Sequence, residues 1–214
     1  MQTSDVARTI ASRFEGHRLR MYVRSKLRSD PVYAAAYETI RDSSLPLLDV
    51  GCGVGLLGFY LRERGWDHPI IGVDSDPKKV AVARRIASGY NGLEFRVGES
   101  IDGMPFRGNV AIIDVLHYLS DESQIALLES VADMVPKGGF IVIRDCPADG
   151  SWRARATWIE EVFARTVGWM KTTRINFPPP DRFASLFEPR GFSEEVRPLW
   201  GRTPFNSHLW VYRA

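Results

Sequence analysis

The chain has 214 residues, 44% hydrophobic and 25% charged, an ordinary globular composition sufficient for one sizeable core and short for two complete domains. Lys and Arg number 28 against 26 Asp and Glu, so a net charge of +2 gives no whole-chain case for nucleic acid or an anionic membrane. Two cysteines exclude a disulfide framework and fall short of a structural zinc site, and neither an apolar signal region nor a bilayer-length segment is present, so a soluble, cytoplasmic protein is expected.

Residues 1–44 read as a helical cap. Their first 28 positions hold Arg8, Arg13, Arg18, Arg20, Arg24, Lys26 and Arg28 against only Asp5 and Glu15, which is either a solvated basic edge or a face for an acidic partner or substrate. From residue 47 short β-branched runs alternate with amphipathic segments, the pattern of a parallel sheet covered by helices on both faces. "LPLLDV" leads into a glycine loop, "LGFYLRERG" is a helix ended by Gly65, and "HPIIGVD" is the second strand. Asp76 is placed to cap the next helix, with Pro77 at its first position, where a missing N–H costs nothing.

"LEFRV", "NVAIID" and "FIVIRD" are strands three to five. Ser120 precedes a helix expected to bury Ile125, Leu128, Ala132 and Val135 on one face. After strand five a Trp- and Arg-rich helical insertion is expected over about 147–185, broken by "NFPPP". The helix "DRFASLFEPRG", with Phe183, Leu186 and Phe187 turned to the core, and a terminal hairpin of "EEVRPLW" and "SHLWVYR" follow. The fold class expected is α/β: a Rossmann-like, doubly wound, mostly parallel seven-stranded sheet with its last strand antiparallel, spanning 45–214 behind the cap.

In open α/β sheets ligands lie beyond the carboxyl ends of the strands. Those ends carry Asp49 to Gly55, Asp74, Gly98 to Ser100, Asp114 to Tyr118 and Asp145 to Pro147. Gly53, Gly55 and Gly58 form a literal G-x-G-x-x-G, the dinucleotide fingerprint, yet Asp49 would repel a pyrophosphate and attract a cation. The glycines still let the backbone approach a ligand closely, and an acid at Asp74 suits a ribose diol in either case.

"LLDVGCGVG", "GVDSDPKKVAVAR" and "MVPKGGFIVI" together resemble the motifs of class I S-adenosylmethionine-dependent methyltransferases, over roughly residues 45–145. The resemblance implies S-adenosyl-L-methionine as cofactor, S-adenosyl-L-homocysteine as product, and a small-molecule acceptor. It implies that Asp49, Gly51, Cys52, Gly53 and Gly55 surround the methionine end, Asp74 and Ser75 the ribose, and Glu99 and Ser100 the adenine, with Asp114 and Val115 completing the cofactor-binding set. A residue Cys52 alone would be read as a small side chain in a tight turn.

The sulfonium makes the methyl electrophilic, so catalysis is mainly positioning, and a base is needed only for a weakly nucleophilic acceptor. His117 and Tyr118, after strand four, are the candidates for that base. His17, Tyr22, Trp152 and Trp158 are candidate pocket residues from the cap and the insertion, which together suit an aromatic or acyl acceptor with an anionic group, free or held on an acidic carrier protein. Alternatives are an NAD(P)-dependent oxidoreductase and a non-catalytic cofactor-binding protein. No metal set is expected, and "NFPPP" follows strand five rather than strand four, which argues against methylation of a base amine.

Overall fold

The computed structural model describes residues 3–153, 175–200 and 205–214. Three helices, α1 (Thr3–Ser12), α2 (His17–Ser29) and α3 (Val32–Ile40), precede the first strand, β1 (Leu47–Val50). There follow α4 (Leu56–Glu63), β2 (Ile70–Asp74), α5 (Pro77–Ala87), β3 (Leu93–Val97), β4 (Asn109–Ile113), a 3-10 turn (Leu116–Tyr118), α6 (Asp121–Met134) and β5 (Phe140–Asp145). The chain closes with α7 (Arg182–Phe187), β6 (Ser193–Pro198) and β7 (His208–Arg213).

The strands form one seven-stranded sheet in the order β3-β2-β1-β4-β5-β7-β6. β1 to β5 run parallel and β7 enters antiparallel between β5 and β6, so the doubly wound sheet with an antiparallel last strand is as expected. Alternate residues of each strand feed opposite cores. Leu47, Ala111, Val142 and Val211 join α1 to α5 on one face, and Leu48, Val110, Ile141 and Tyr212 join α6 and α7 on the other. Successive strands are added on one side of β1 up to β3 and on the other from β4, so the strand-order switch falls between β1 and β4, the position where such sheets open a crevice.

Local chemistry sets the element ends as anticipated at two helices. Asp76 accepts the Lys78 amide at 2.8 Å ahead of Pro77, and Ser120 accepts the Ser123 amide at 3.2 Å. Asp121 and Glu122 then lie in the first turn of α6, where acids complement the helix dipole. One expected core residue is displaced: Ile125 is 39% exposed and its neighbour Gln124 is fully buried. The Gln124 amide donates to the carbonyls of Leu116, Leu119 and Asn176 at 3.0, 3.3 and 2.8 Å, and its oxygen accepts from Arg182. A buried amide that serves three carbonyls and is itself anchored by Arg182 outweighs one isoleucine side chain at that position.

Candidate active site

The loop after β1 does two different jobs. Gly51 and Gly55 have φ of +72° and +84°, and a side chain at either would collide with the protein itself: with Val115 at 2.2 Å and with Phe95 at 2.6 Å. Gly53, at φ +56°, would meet nothing within 4 Å. Gly51 and Gly55 therefore serve the packing of the loop, and Gly53 borders open space at the strand ends. Gly58 sits at ordinary contact distances within α4, so the literal dinucleotide spacing carries no special geometry at its third glycine. Cys52 is buried, its Cβ beside Gly72, and burial pushes its thiol well above the usual range.

Beside this loop lie two acids that no cation answers among the described residues. Asp49 is 3% exposed, and burial, with Asp74 close by, raises its carboxyl to about 8. Asp74 accepts the Gly53 amide at 2.8 Å through one oxygen and the Asp76 amide at 2.8 Å through the other, holding the loop in place. Among the described residues no Lys or Arg forms an ion pair with either acid. Ser75 is exposed beyond Asp74, and Glu99 and Ser100 are exposed beyond β3, whose end joins β2 through the Gly98 amide and the Asp74 carbonyl at 3.1 Å. Ser100 turns its hydroxyl to the Asp102 amide at 3.0 Å.

At β4 and β5 the charges are instead paired with one another. Asp114 adopts φ +57°, the one non-glycine residue with positive φ among those described, and its amide donates to the Arg144 carbonyl at 2.9 Å. Its carboxylate meets the buried Arg144 guanidinium at 2.5 Å and the Lys26 ammonium at 3.7 Å. Arg144 also contacts Asp30 at 2.6 Å, and Lys26 contacts Asp30 at 2.8 Å. The quartet is neutral as a whole, and it fastens the end of α2 to the carboxyl end of the sheet. Despite its burial the carboxyl of Asp30 is held below its usual range by Arg144 and Lys26, and Tyr33, buried next to it, is raised far above its own. Sequence reading singled out Asp114 and missed Lys26, Asp30 and Arg144, whose association depends on tertiary contact.

His117 is 3% exposed, its Nδ1 lies 2.7 Å from Asp145, and its ring packs against Tyr118 and Phe177. Asp145 also accepts the Cys146 amide at 2.8 Å, so it is an acceptor on two sides and assigns the Nδ1 proton to the imidazole. Cys146 is pushed up to about 12 by burial and by Asp145. "NFPPP", expected only to break a helix, closes onto this turn: the Asn176 amide donates to the His117 carbonyl at 2.8 Å and its side chain to Leu119 at 3.1 Å. Of the expected pocket residues, His17 and Tyr22 lie exposed on α2, Trp152 is 65% exposed with Arg153 stacked between it and Trp200, and Trp158 falls outside the described residues.

A Rossmann-like sheet of this order, with an acid-floored glycine loop at its switch point, is the architecture of class I methyltransferases. A family of methyltransferase domains matches residues 41–176, and the chain belongs to that family. A curated relative, the trans-aconitate 2-methyltransferase of Sinorhizobium fredii (strain NBRC 101917 / NGR234), is 24% identical over 148 residues, 68% of this chain, which span 56% of the relative's length. Among solved structures, the magnesium protoporphyrin IX methyltransferase of Synechocystis PCC 6803 with bound SAH superimposes with a TM-score of 0.67 at 20% identity, covering 98% of this chain and 94% of that one. The mitomycin 7-O-methyltransferase MmcR gives 0.69 at 17% identity, covering 92% and 57%. At these identities the two structures speak for the fold. No helix among the described residues is long and apolar enough to cross a membrane.

Proposed function

We propose that the protein is an S-adenosylmethionine-dependent methyltransferase acting on a small-molecule acceptor that bears an anionic group. The observation that carries the reading is the buried, unpaired Asp49 beneath the open side of Gly53. A buried carboxylate without a counter-ion is costly, and a ligand with a sulfonium and an α-ammonium supplies the missing positive charge where a pyrophosphate would add to the cost. Asp49, Gly51, Cys52, Gly53 and Gly55 would hold the methionine end, Asp74 and Ser75 the ribose, Glu99 and Ser100 the adenine, with Asp114 and Val115 at the border towards the acceptor. Bound S-adenosylmethionine supplies an electrophilic methyl group.

The chain's own residues then orient the acceptor and take up a proton. His117, its Nδ1–H held by Asp145, presents Nε2 as the acceptor nitrogen, which suits it to receive a hydroxyl proton, with Tyr118 beside it. Residues 1–44 form the cap of the acceptor side, fastened by Lys26 and Asp30, and the basic composition of α2 favours an anion there. The curated relative is named for trans-aconitate, a small organic anion, which agrees with that charge preference.

Calorimetric titration of the chain with S-adenosylhomocysteine and, separately, NAD tests the cofactor. Binding of the former is expected, and binding of NAD alone would overturn the reading. A panel of organic acids with radiolabelled methyl donor then tests the acceptor class: label is expected in a small anionic product, and label confined to nucleic acid would refute it. Loss of turnover by about a hundredfold in His117→Gln, with cofactor affinity unchanged, is expected for a hydroxyl acceptor.

A further inference from the structure

Charge is segregated in this molecule. Helix α2 carries Arg18, Arg20, Arg24, Lys26 and Arg28 and no acid, while the remainder of the chain holds three more acidic than basic residues. Lys26 turns inward to Asp30 and Asp114. The four arginines are exposed, and none forms a side-chain hydrogen bond or ion pair among the described residues. Several surface arginines elsewhere are partnered, as Arg8 with Asp5, Arg41 with Glu38 and Arg85 with Glu15, whereas α2 gathers on a single helix four that are unpartnered among the described residues.

Arg20, Arg24 and Arg28 succeed one another at four-residue intervals and so form a row along one side of the helix, with exposed Met21 and Tyr22 beside it. Like charges at that spacing repel, so the row weakens the free helix and is relieved only by an external anion. The apolar side of α2, Val23 and Leu27, is already buried in the core, which leaves no apolar stripe to insert into lipid. A nucleic-acid backbone asks for a broad basic face, and outside α2 the chain is net acidic. A row of guanidinium forks of one helix's length fits carboxylates set along an acidic protein helix. The row ends at the turn that Lys26 and Asp30 fasten to Asp114 and Arg144, beside the acceptor side of the site.

We propose that α2 is the docking surface for an acidic, helical carrier protein that presents the acceptor covalently on a flexible arm; the delivery of an acceptor rests on the methyltransferase reading, and the docking itself does not. The test titrates the full chain into a fluorescently labelled, recombinant holo-acyl carrier protein and follows anisotropy. Binding is expected at about 50 mM salt, weakened about tenfold at about 200 mM, and lost in the triple variant Arg20→Glu/Arg24→Glu/Arg28→Glu. The milder Arg20→Gln/Arg24→Gln/Arg28→Gln should weaken it in the same direction, and both variants should keep the wild-type affinity for S-adenosylhomocysteine. No binding by the wild-type chain, binding indifferent to both variants, or tighter binding to phosphatidylglycerol vesicles or duplex RNA under the same conditions would overturn the proposal. Failure of the wild-type chain to bind S-adenosylhomocysteine would count against the methyltransferase reading and leave the docking result standing.

Discussion

The two halves of the carboxyl edge handle charge in opposite ways. At β1 and β2, Asp49 and Asp74 lie close together with no cation paired to either among the described residues, and Asp74 accepts from two amides. At β4 and β5, Asp114 and Asp30 are answered by Arg144 and Lys26 within 3.7 Å. One half is electrostatically complete only with a ligand, and the other is complete by itself. The first kind of site stores binding energy for a cation, whereas the second spends its charges on fixing the position of α2.

The largest break in that comparison is expected from Arg144→Ala. It leaves two acids short of their main partner, and urea unfolding should register a loss of about 3 kcal/mol, in keeping with the cost of orphaning one side of a buried ion pair. Asp49→Asn should leave the fold intact and weaken S-adenosylhomocysteine binding about a hundredfold by calorimetry, roughly 2.7 kcal/mol. Opposite phenotypes, stability lost at one site and affinity at the other, are what the two arrangements require.

The pH response sharpens the contrast. The Asp49 carboxyl is raised to about 8, so the native chain without ligand keeps a proton there that the unfolded chain releases near the ordinary carboxylate value. Its contribution makes the ligand-free fold less stable as pH rises from about 4 towards 8, because over that window the native state binds more protons. A cationic ligand prefers the ionised form, so its affinity should rise about tenfold between about pH 6 and 8, with proton release detectable in buffers of different ionisation enthalpy. Asp49→Asn should abolish both effects. The smallest change is expected from Gln124→Leu: it takes one donor from each of three carbonyls, of which Leu116 keeps the Leu119 amide and Leu119 the Asn176 side chain, and thermal unfolding should report a loss of about 1–2 kcal/mol.

What could be read from the sequence follows the same division. The β1–β2 half is encoded contiguously, since Asp49 to Gly55 and Asp74 to Pro77 are local turns and caps whose residue types state their own geometry. The β4–β5 half is encoded across the chain: Asp30 and Arg144 lie 114 positions apart, and His117 and Asp145 lie 28 apart. Asp114 and Asp145 were recognisable as strand-end acids, but nothing local tells whether such an acid awaits a ligand or already has a partner. Gln124 illustrates the limit of periodicity. Hydropathy placed Ile125 inward, and the demand of the Leu116, Leu119 and Asn176 carbonyls, which no hydropathy pattern contains, turned the helix face towards Gln124 instead. "NFPPP" shows the same thing in a loop: its prolines read only as a breaker, while the Asn that begins it anchors the turn bearing His117.

The contact between Gly51 and Val115 bears on any attempt to retool the enzyme. A single valine methyl from the turn after β4 occupies the space that the first loop glycine leaves empty. On the proposed assignment, libraries that vary Val115 would change the footing of the glycine loop as well, so acceptor scope and S-adenosylhomocysteine affinity should be selected together, with position 51 kept as glycine.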